Sequence, residues 1–318
     1  MARSLTSIFL VLAVALSLTA GHSLAADKLK FATAIKFNPF YWLITAAAEE
    51  KGFWKRNGLQ AEVSSFRGGA AMHRGFAAGA VDMGLTGTAG VIRSASAGVP
   101  VLVVADLGRQ DFYIWIRADS PIRKPEQLKG AKLGVNRFGG LSHTLGRVVA
   151  KSLGLEKDIK FIAGGSLREE QALVQTGKLD GVIAAFAPKA ALKHRGVIRV
   201  VLSVRDYLPK EWSDQAVVAR KDFVEKNPDL VKRGVKAVLE SGRFISEDPD
   251  WAIRKLEKAL KVPRTIAKEA LAGGAYSKDG RISQKAMKNV LALLLEYGLV
   301  SKKKAPNVRT LYTTKFTQ

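Results

Sequence analysis

Two polar, glycine-containing segments hold the residues with the clearest chemical potential in this chain of 318 residues. Thr86-Gly87-Thr88 follows a short apolar stretch after Asp82, and we expect Thr88 to cap the next helix. The second segment, residues 137–143, also follows an apolar stretch and contains Gly139-Gly140. Free backbone N–H groups at helix N-termini bind anions without a cationic side chain, and we expect them to face a cleft. Capping alone explains either segment, whereas the two together favour a ligand-binding cleft.

Four other side chains could contact a bound molecule. Arg109 could form a charge-assisted hydrogen bond to a carboxylate or sulfonate, although a surface arginine is an equally simple interpretation. Phe37 and Phe186 follow predicted strands and could stack on a ligand, or could pack in the core. Asn38 precedes Pro39, and this pair is also typical of a turn.

Signatures of catalysis and of metal binding are missing from the sequence. There is no Gly-x-Ser-x-Gly motif, no Walker phosphate loop and no His-Glu-x-x-His motif. The chain has no cysteine, which excludes disulfides, thiolate metal sites and cysteine nucleophiles. His73, His143 and His194 are far apart along the chain, and no pair of carboxylates stands out for acid–base chemistry. We expect no enzymatic activity, no cofactor and no metal.

The charge balance is strongly basic. Lys and Arg number 51 against 28 Asp and Glu, which gives a formal net charge of +23. Such a charge raises the local concentration of anions and disfavours cationic ligands. The basic residues are scattered, with no aromatic-interleaved stripe and no nucleic-acid-binding module, so we expect no nucleic acid partner. A small anionic ligand or an anionic membrane surface fits the composition better.

The N-terminus resembles a secretory signal peptide. Arg3 precedes an apolar stretch at residues 8–18, which is too short to span a bilayer. Small residues at 23–26 predict cleavage after Ala25. An N-terminal anchor is the alternative. We therefore expect residues 1–25 to be removed and the protein to be exported, as a periplasmic protein.

Strands and helices are predicted to alternate along the first half of the chain. Strand-like runs at residues 29–34, 60–66 and 101–105 are separated by helical runs of roughly ten residues, which is typical of parallel βαβ units. Beyond residue 228 the chain is predicted to be mostly helical, with helices at 228–245, 250–260, 263–271 and 283–299. The predicted fold class is therefore α/β.

An internal repeat indicates two similar lobes. The segment around Asp82 resembles the segment around Asp180, and a helix precedes and a short apolar strand follows each aspartate. Strand-like runs mark two passages between the lobes. We predict one lobe at residues 27–110 plus 215–318 and an inserted lobe at 111–214. Two passages form a hinge, and a cleft between the lobes is the expected ligand site.

An ordered series of motifs extends over nearly all of residues 28–318. It comprises Lys51-Gly52-Phe53-Trp54 within residues 49–59, Phe66-Arg67-Gly68-Gly69, and residues 79–88, 119–122, 128–135, 220–223 and 227–229. This series resembles the periplasmic substrate-binding proteins of ABC importers, in the branch that binds aliphatic sulfonates, taurine and nitrate and includes thiamine-precursor binders. The resemblance implies a type II periplasmic binding protein fold, a small ligand in the cleft, a membrane permease as partner, and no catalysis.

The resemblance also implies ligand contacts from residues 36–38, 86–88 and 139–143. Ala185-Phe186-Ala187-Pro188 departs from the tryptophan-aspartate-proline of many sulfonate binders, and Arg137 and Phe138 are also individual to this chain. The predicted ligand-binding residues are Lys36, Phe37, Asn38, Thr86, Gly87, Thr88, Arg109, Phe138, Gly139, Gly140, Ser142, His143 and Phe186.

The predicted function is capture of a small anionic ligand by a monomeric, exported component of an ABC importer. Two alternatives stay open from the sequence. The protein could instead bind a thiamine-precursor pyrimidine or an aromatic ligand. It could also act as a periplasmic sensor or interaction protein. A pyrimidine-synthesising enzyme would need a cysteine-rich segment that this chain lacks.

Overall fold

The computed structural model describes residues 26–35, 37–165 and 167–317, without the side chains of residues 167 and 168. The predicted signal peptide and Lys36 lie outside the described residues. Eleven strands are found in the described part. They are β1 (Asp27–Thr33), β2 (Leu59–Ser65), β3 (Met83–Gly87), β4 (Val101–Gln110), β5 (Phe112–Arg117), β6 (Lys132–Val135), β7 (Lys160–Ala163), β8 (Gly181–Ala185), β9 (Ile198–Ser203), β10 (Gln215–Arg220) and β11 (Gly274–Tyr276).

Helices connect most of these strands and make up most of the C-terminal third. They are α1 (Pro39–Glu50), α2 (Phe53–Arg56), α3 (Gly69–Ala77), α4 (Thr88–Ser96), α5 (Leu141–Ser152), α6 (Leu167–Gln175), α7 (Phe186–His194), α8 (Lys221–Lys226), α9 (Pro228–Glu247), α10 (Pro249–Leu260), α11 (Arg264–Ala272) and α12 (Gln284–Glu296). None of the described helices is long and apolar enough to cross a lipid bilayer.

The first sheet has six strands in the order β11-β4-β10-β3-β1-β2. Strand β1 pairs in parallel with β2 and with β3, which confirms the predicted parallel βαβ units in this part of the chain. Strand β10 instead runs antiparallel between β3 and β4, and β11 pairs antiparallel with β4. The sheet is therefore mixed.

The second sheet has five strands in the order β7-β6-β8-β5-β9. Strand β6 is parallel to β7 and β8, whereas β5 is antiparallel to β8 and β9. Each sheet thus combines a parallel βαβ part with antiparallel strands next to the chain crossings.

The aspartates of the internal repeat have the same structural role in both sheets. The backbone N–H of Lys30 donates to Asp82 Oδ2 at 3.1 Å, and the backbone N–H of Lys132 donates to Asp180 Oδ2 at 2.8 Å. Each aspartate also donates its backbone N–H to the carbonyl of the same lysine, at 2.9 Å in both cases. The repeated motif therefore ties the first parallel strand of each sheet to the turn that leads into its neighbour.

Local sequence explains where α1 begins and ends. Asn38 is its N-cap and accepts the N–H of Phe40 at 2.9 Å, while Pro39 occupies the first helical turn, where no N–H is needed. Gly52 follows the helix with a φ of 69°, a left-handed conformation that favours glycine.

The chain passes between the sheets twice, at residues 110–112 and 204–215. A 3₁₀ turn, Val204–Tyr207, begins the second passage. The passages are tied together because the N–H of Gln110 donates to Asp214 Oδ2 at 2.7 Å. The lobe boundaries at 110/111 and 214/215 stay a prediction, and we use the word lobe for these two parts.

The C-terminal helices, which belong to the first lobe, also contact the second. Arg147 on α5 donates to the carbonyl of Tyr297, directly after α12, at 2.7 Å. Lys193 on α7 forms an ion pair with Glu269 on α11. One hydrophobic cluster includes Trp115 together with the core of the first sheet. The two lobes are therefore in close contact.

Candidate functional site

The two glycine-containing segments predicted to bind a ligand meet where the two lobes touch. We call this region of contact between the lobes the seam. Leu141, the first residue of α5, has its Cδ2 atom 3.5 Å from the position that a Cβ atom would take at Gly87. Gly87 ends β3 and directly precedes α4. The structure thus brings Gly87 and the start of α5 into contact, and the ligand-binding role of these segments stays a prediction.

The expected capping role of Thr88 is wrong. The N-cap residue of α4 is Gly87, and no side chain caps this helix. The Thr88 hydroxyl forms a hydrogen bond of 2.9 Å with the Ser213 hydroxyl, and the Thr88 N–H donates to the carbonyl of Asp214 at 2.9 Å. Both hydrogen bonds of Thr88 are made to the second passage between the lobes. Thr88 therefore links the start of α4 to that passage.

Asn38 and Gln110 form two reciprocal hydrogen bonds between their side-chain amides. The Asn38 Nδ2 group donates to Gln110 Oε1 at 3.1 Å, and the Asn38 Oδ1 atom accepts from Gln110 Nε2 at 3.0 Å. Both side chains are buried. Neighbouring Tyr41 donates its hydroxyl to the Gln215 side chain. The polar groups of Asn38 are thus engaged within the protein, and a ligand contact of this side chain stays a prediction.

Two carboxyl groups near the passages are held in an environment that disfavours their charge. Burial raises the pKa of Asp214 to about 7, although the N–H of Gln110 and the charge of Arg205 act in the opposite direction. Burial, followed by the nearby charge of Asp214, raises the pKa of Asp106 to about 7. Near neutral pH both groups are therefore close to their protonation midpoints.

The second segment presents one exposed aromatic ring and one half-buried histidine. Phe138 is 60% exposed, and its ring meets His143 edge-on at 5.4 Å between centroids. The His143 ring also meets the Phe161 ring edge-on, at 5.3 Å between centroids. His143 Nδ1 accepts the N–H of Gly139 at 2.9 Å, so its proton in the neutral form is on Nε2. Burial, Arg147 and Arg93 lower the pKa of His143.

Ser142 stabilises the loop that leads into α5. Its hydroxyl accepts the N–H of Asn136 at 3.1 Å and donates to Asn136 Oδ1 at 3.1 Å. Ser142 is 2% exposed, so its described polar contacts are with its own loop.

Two arginines cross the seam in opposite directions. Arg93, on α4 of the first lobe, has a guanidinium nitrogen 2.9 Å from where a Cβ atom would lie at Gly139 of the second lobe. Arg137, from the second lobe, has its guanidinium carbon 3.0 Å from the corresponding position at Gly68 of the first lobe. Gly139 and Gly68 have φ values of 70° and 103°, so both the backbone and the arginine above it favour glycine at these positions.

A buried histidine lies beside the two arginines. His73 on α3 is 1% exposed, and its Nδ1 atom is hydrogen-bonded to the hydroxyl of Ser94. Its Nε2 atom is buried and has no hydrogen-bond partner among the described residues. Burial, followed by the charges of Arg137 and Arg93, lowers the pKa of His73 to about 4. His73 is therefore neutral at physiological pH.

The predicted residues Arg109, Phe37 and Phe186 lie in other surroundings. Arg109 is half exposed and forms an ion pair of 2.9 Å with Asp111 beside the first passage. The Phe37 ring packs against Trp42 at 5.8 Å between centroids. Phe186 is 8% exposed, between Trp115 and the Cβ position of Gly273. None of these contacts brings the three side chains to Arg93 or Arg137 at the seam. Their ligand-binding roles stay predictions.

Arg93 and His73 are not among the predicted ligand-binding residues, and Arg137 is distinguished in the sequence only as individual to this chain. Arg93 and His73 lie on helices, where single charged or polar side chains are common and carry no local signal. Their significance depends on the contact between the lobes, which a linear sequence does not display. Within the described residues, no group of three or more His, Asp or Glu side chains is placed to hold a metal ion.

Comparisons with known proteins agree on the fold. A family described as NMT1/THI5 like matches residues 40–252. A protein of Brucella abortus, named only as a binding protein, is 28% identical over 287 residues, with 84% of each chain covered. The taurine-binding periplasmic protein of Escherichia coli is 27% identical over 240 residues, covering 73% of this chain and 70% of that protein.

A solved structure extends the comparison to three dimensions. The alkanesulfonate-binding protein SsuA from Xanthomonas axonopodis pv. citri, bound to MOPS, superimposes with a TM-score of 0.75 at 17% identity. The match covers 91% of this chain and 98% of that chain. The predicted fold class, an α/β periplasmic binding protein fold, is confirmed.

Proposed function

The chain belongs to the NMT1/THI5-like family, and from this membership we propose that it is the exported solute-binding component of an ABC importer. It captures a small anionic organic ligand between its two lobes and delivers that ligand to a permease. The ligand class is that of aliphatic sulfonates, taurine or nitrate. The names of the taurine-binding and alkanesulfonate-binding relatives support this class.

One observation carries the proposal. The lobes meet at a seam where segments of both contribute, and each lobe sends an arginine, Arg93 or Arg137, against a glycine of the other. Within the described residues, neither arginine forms an ion pair with a carboxylate. Guanidinium groups without a protein counter-ion are suited to an anionic ligand. An anion at this seam would contact both lobes at once.

The mechanism follows from the two passages between the lobes. Opening about residues 110–112 and 204–215 would expose the seam, and closing would bring both arginines onto the ligand. Contacts that exist only in the closed form shift the population toward that form. The permease then recognises the closed, loaded protein. No covalent step is involved, and the protein acts as a carrier and not as an enzyme.

The location of the protein follows from the same proposal. Residues 1–25 are the signal peptide, and the mature protein is a periplasmic monomer. The periplasmic location given in the name of the taurine-binding relative supports this assignment.

Thermal unfolding of the purified protein against a ligand panel tests the function. The panel contains taurine, ethanesulfonate, nitrate, an aromatic carboxylate and a thiamine pyrimidine. A ligand that binds only the native state stabilises it by about 2.7 kcal/mol at 100 times its Kd, which is a clear shift in Tm. We expect a shift with an anion. A shift with the pyrimidine alone would contradict the anionic class, and no shift with any compound would contradict ligand capture.

A further inference from the structure

We propose that Arg93 and Arg137 form a two-lobe clamp for a ligand that presents two negative charges to the seam, with His73 as a neutral hydrogen-bond donor beside them. The two charges reside on one tetrahedral oxyanion or on two neighbouring acidic groups. This inference rests on the proposed function, since it concerns the ligand that the same seam would hold. It narrows the anionic class proposed there, because it favours doubly charged members over singly charged sulfonates and nitrate.

The geometry of the clamp is reciprocal. Arg93 reaches from the first lobe to Gly139, and Arg137 reaches from the second lobe to Gly68, with approaches of 2.9 and 3.0 Å to the Cβ positions of these glycines. Each guanidinium therefore belongs to one lobe and lies on the backbone of the other. A ligand held between them would be contacted from both sides of the seam.

Arg93 and Arg137 carry charges of the same sign. Burial lowers the pKa of Arg93, and the positive charge of Arg137 lowers it further. Burial also lowers the pKa of Arg137, and Arg74 lowers it further. Neither arginine has an ion pair with a carboxylate of the described residues, and both side chains are half-buried. Repulsion between the two guanidiniums therefore opposes closure of the empty protein.

The number of negative charges on the ligand determines how tightly the clamp binds it. A singly charged anion neutralises one guanidinium and leaves the other without a counter-charge in a partly desolvated seam. A doubly charged ligand neutralises both. Hydrogen bonds to charged groups are stronger than neutral ones, and their loss leaves a costly unpaired charge. The clamp should therefore bind a dianion more tightly than a monoanion of the same shape.

His73 adds direction to this charge. When the Ser94 hydroxyl donates to His73 Nδ1, the proton of the neutral ring is on Nε2. That Nε2 group is buried and has no partner among the described residues. It can donate one hydrogen bond to a ligand oxygen without adding a third full charge. The Cε1 atom of the ring lies 4.0 and 3.5 Å from the Cβ positions of Gly69 and Gly90, so the ring is next to the backbone that Arg137 approaches at Gly68.

Titration calorimetry with four probe anions tests the proposal. Ethanedisulfonate and inorganic sulfate carry two charges, on two groups and on one group respectively, whereas ethanesulfonate and nitrate carry one. We expect at least one dianion to bind the wild-type protein about tenfold or more tightly than either monoanion. R93Q and R137Q should each weaken dianion binding by about 10- to 100-fold and remove the preference. The control R195Q changes an exposed arginine on the end of α7 and should match wild type.

Thermal unfolding of the empty variants separates this role from a structural one. Because the guanidiniums repel each other, R93Q and R137Q should melt at or above the wild-type temperature without ligand. R93K and R137K keep the charge but lose the planar fork, so they should retain part of the dianion preference.

Two results would overturn the proposal. If ethanesulfonate or nitrate binds as tightly as the dianions, or if neither glutamine variant weakens dianion binding, the clamp is wrong while anion capture by this protein stands. If R93Q and R137Q without ligand melt far below the wild type, and R93K and R137K melt equally low, the arginines are structural. Failure of all anions together with binding of the neutral pyrimidine would remove the proposed function itself.

Discussion

Asp214 is a single buried carboxyl group at the second passage between the lobes, and its environment makes stability depend on pH. Its pKa is raised from 3.8 to about 7 because burial disfavours the charged form. A raised pKa means that the folded protein binds the proton more tightly than the unfolded chain. The resulting stability is present below the unfolded value and is lost as pH rises toward 7.

The variant Asp214→Asn tests this dependence, because asparagine can still accept the N–H of Gln110 but cannot ionise. We expect the variant to exceed the wild-type Tm at about pH 8 and the difference to shrink toward about pH 4. Thermal unfolding across this range measures it. Asp106 has a similarly raised pKa, so some pH dependence should persist in the variant. A difference in Tm that grows toward acidic pH would contradict the assignment.

Lys189 and Glu170 form a buried ion pair in the second lobe. Lys189 Nζ lies 2.6 Å from Glu170 Oε2, and the two side chains are 2% and 1% exposed. Removing one partner of a buried pair leaves the other charge without compensation and costs about 3–5 kcal/mol. We therefore expect Lys189→Met to lower the free energy of unfolding by about that amount, measured by urea denaturation.

The double variant Lys189→Met with Glu170→Leu is the matched control for this pair. It removes both charges, so we expect it to recover most of the stability lost in the single variant. If the double variant is as unstable as the single one, packing and not charge explains the effect. Glu170 also packs against Gly164, whose Cβ position is 2.5 Å from Glu170 Cγ, so leucine must fit the same space.

At the scale of elements, the N-terminus of α5 places the predicted segment 139–143 next to Arg137 of the clamp. Gly140 is its N-cap residue, with a backbone conformation that other residues can adopt. A Cβ atom at Gly140 would lie 3.2 Å from Arg137 Cγ. The variant Gly140→Asp would place a carboxylate beside Arg137 and at the positive end of the helix. We expect binding of the probe anion to weaken by about tenfold or more.

Gly140→Asn separates charge from size in this experiment. Asparagine has the same shape and is also a good N-cap residue, so the two variants should melt at similar temperatures. Calorimetry should show the larger loss in the aspartate variant. Equal affinities of the two variants would show that charge at this position does not govern ligand binding.

Elements were predicted well wherever the signal is local. The predicted helices 228–245 and 250–260 correspond to Pro228–Glu247 and Pro249–Leu260, because proline, capping residues and apolar spacing define helix ends directly. The position of β10 between β3 and β4 was not predicted. Its partners are more than 100 residues away along the chain, and no local pattern encodes that pairing.

The candidate site shows the same division. The meeting of Gly87 with Leu141 could be anticipated, because each segment follows the carboxyl end of a parallel strand, one strand in each lobe, and leads into a helix. The hydrogen bond from the Thr88 hydroxyl to Ser213 could not, since it joins residues 125 positions apart. The crossing of Arg93 and Arg137 likewise depends on how two folded lobes approach each other.

At the scale of the whole molecule, contacts other than the arginine clamp also connect the lobes. Arg147 donates to the carbonyl of Tyr297 at 2.7 Å, and its guanidinium lies 5.2 Å from the Tyr297 ring. These contacts join α5 of the second lobe to the end of α12. They should favour the closed arrangement without touching a ligand.

The variant Arg147→Ala removes these contacts, and we expect it to weaken binding of the probe anion by about fivefold, equivalent to about 1 kcal/mol. Small-angle scattering of the empty variant should show a larger radius of gyration than wild type, and saturating ligand should restore the compact value. Arg195→Ala is the control. An unchanged radius together with unchanged affinity would show that this contact does not influence closure.

The position of β10 in the first sheet has a consequence for the order in which the chain can assemble. Strands β3 and β4 do not pair with each other, because β10 lies between them. A growing chain that ends before residue 215 therefore has its first sheet in two separate pieces, each with an open edge, while every strand of the second sheet already exists. Unprotected edges invite pairing with other chains. The first sheet cannot close until β10 has been made, and β11 is added later still. The second lobe can therefore fold first.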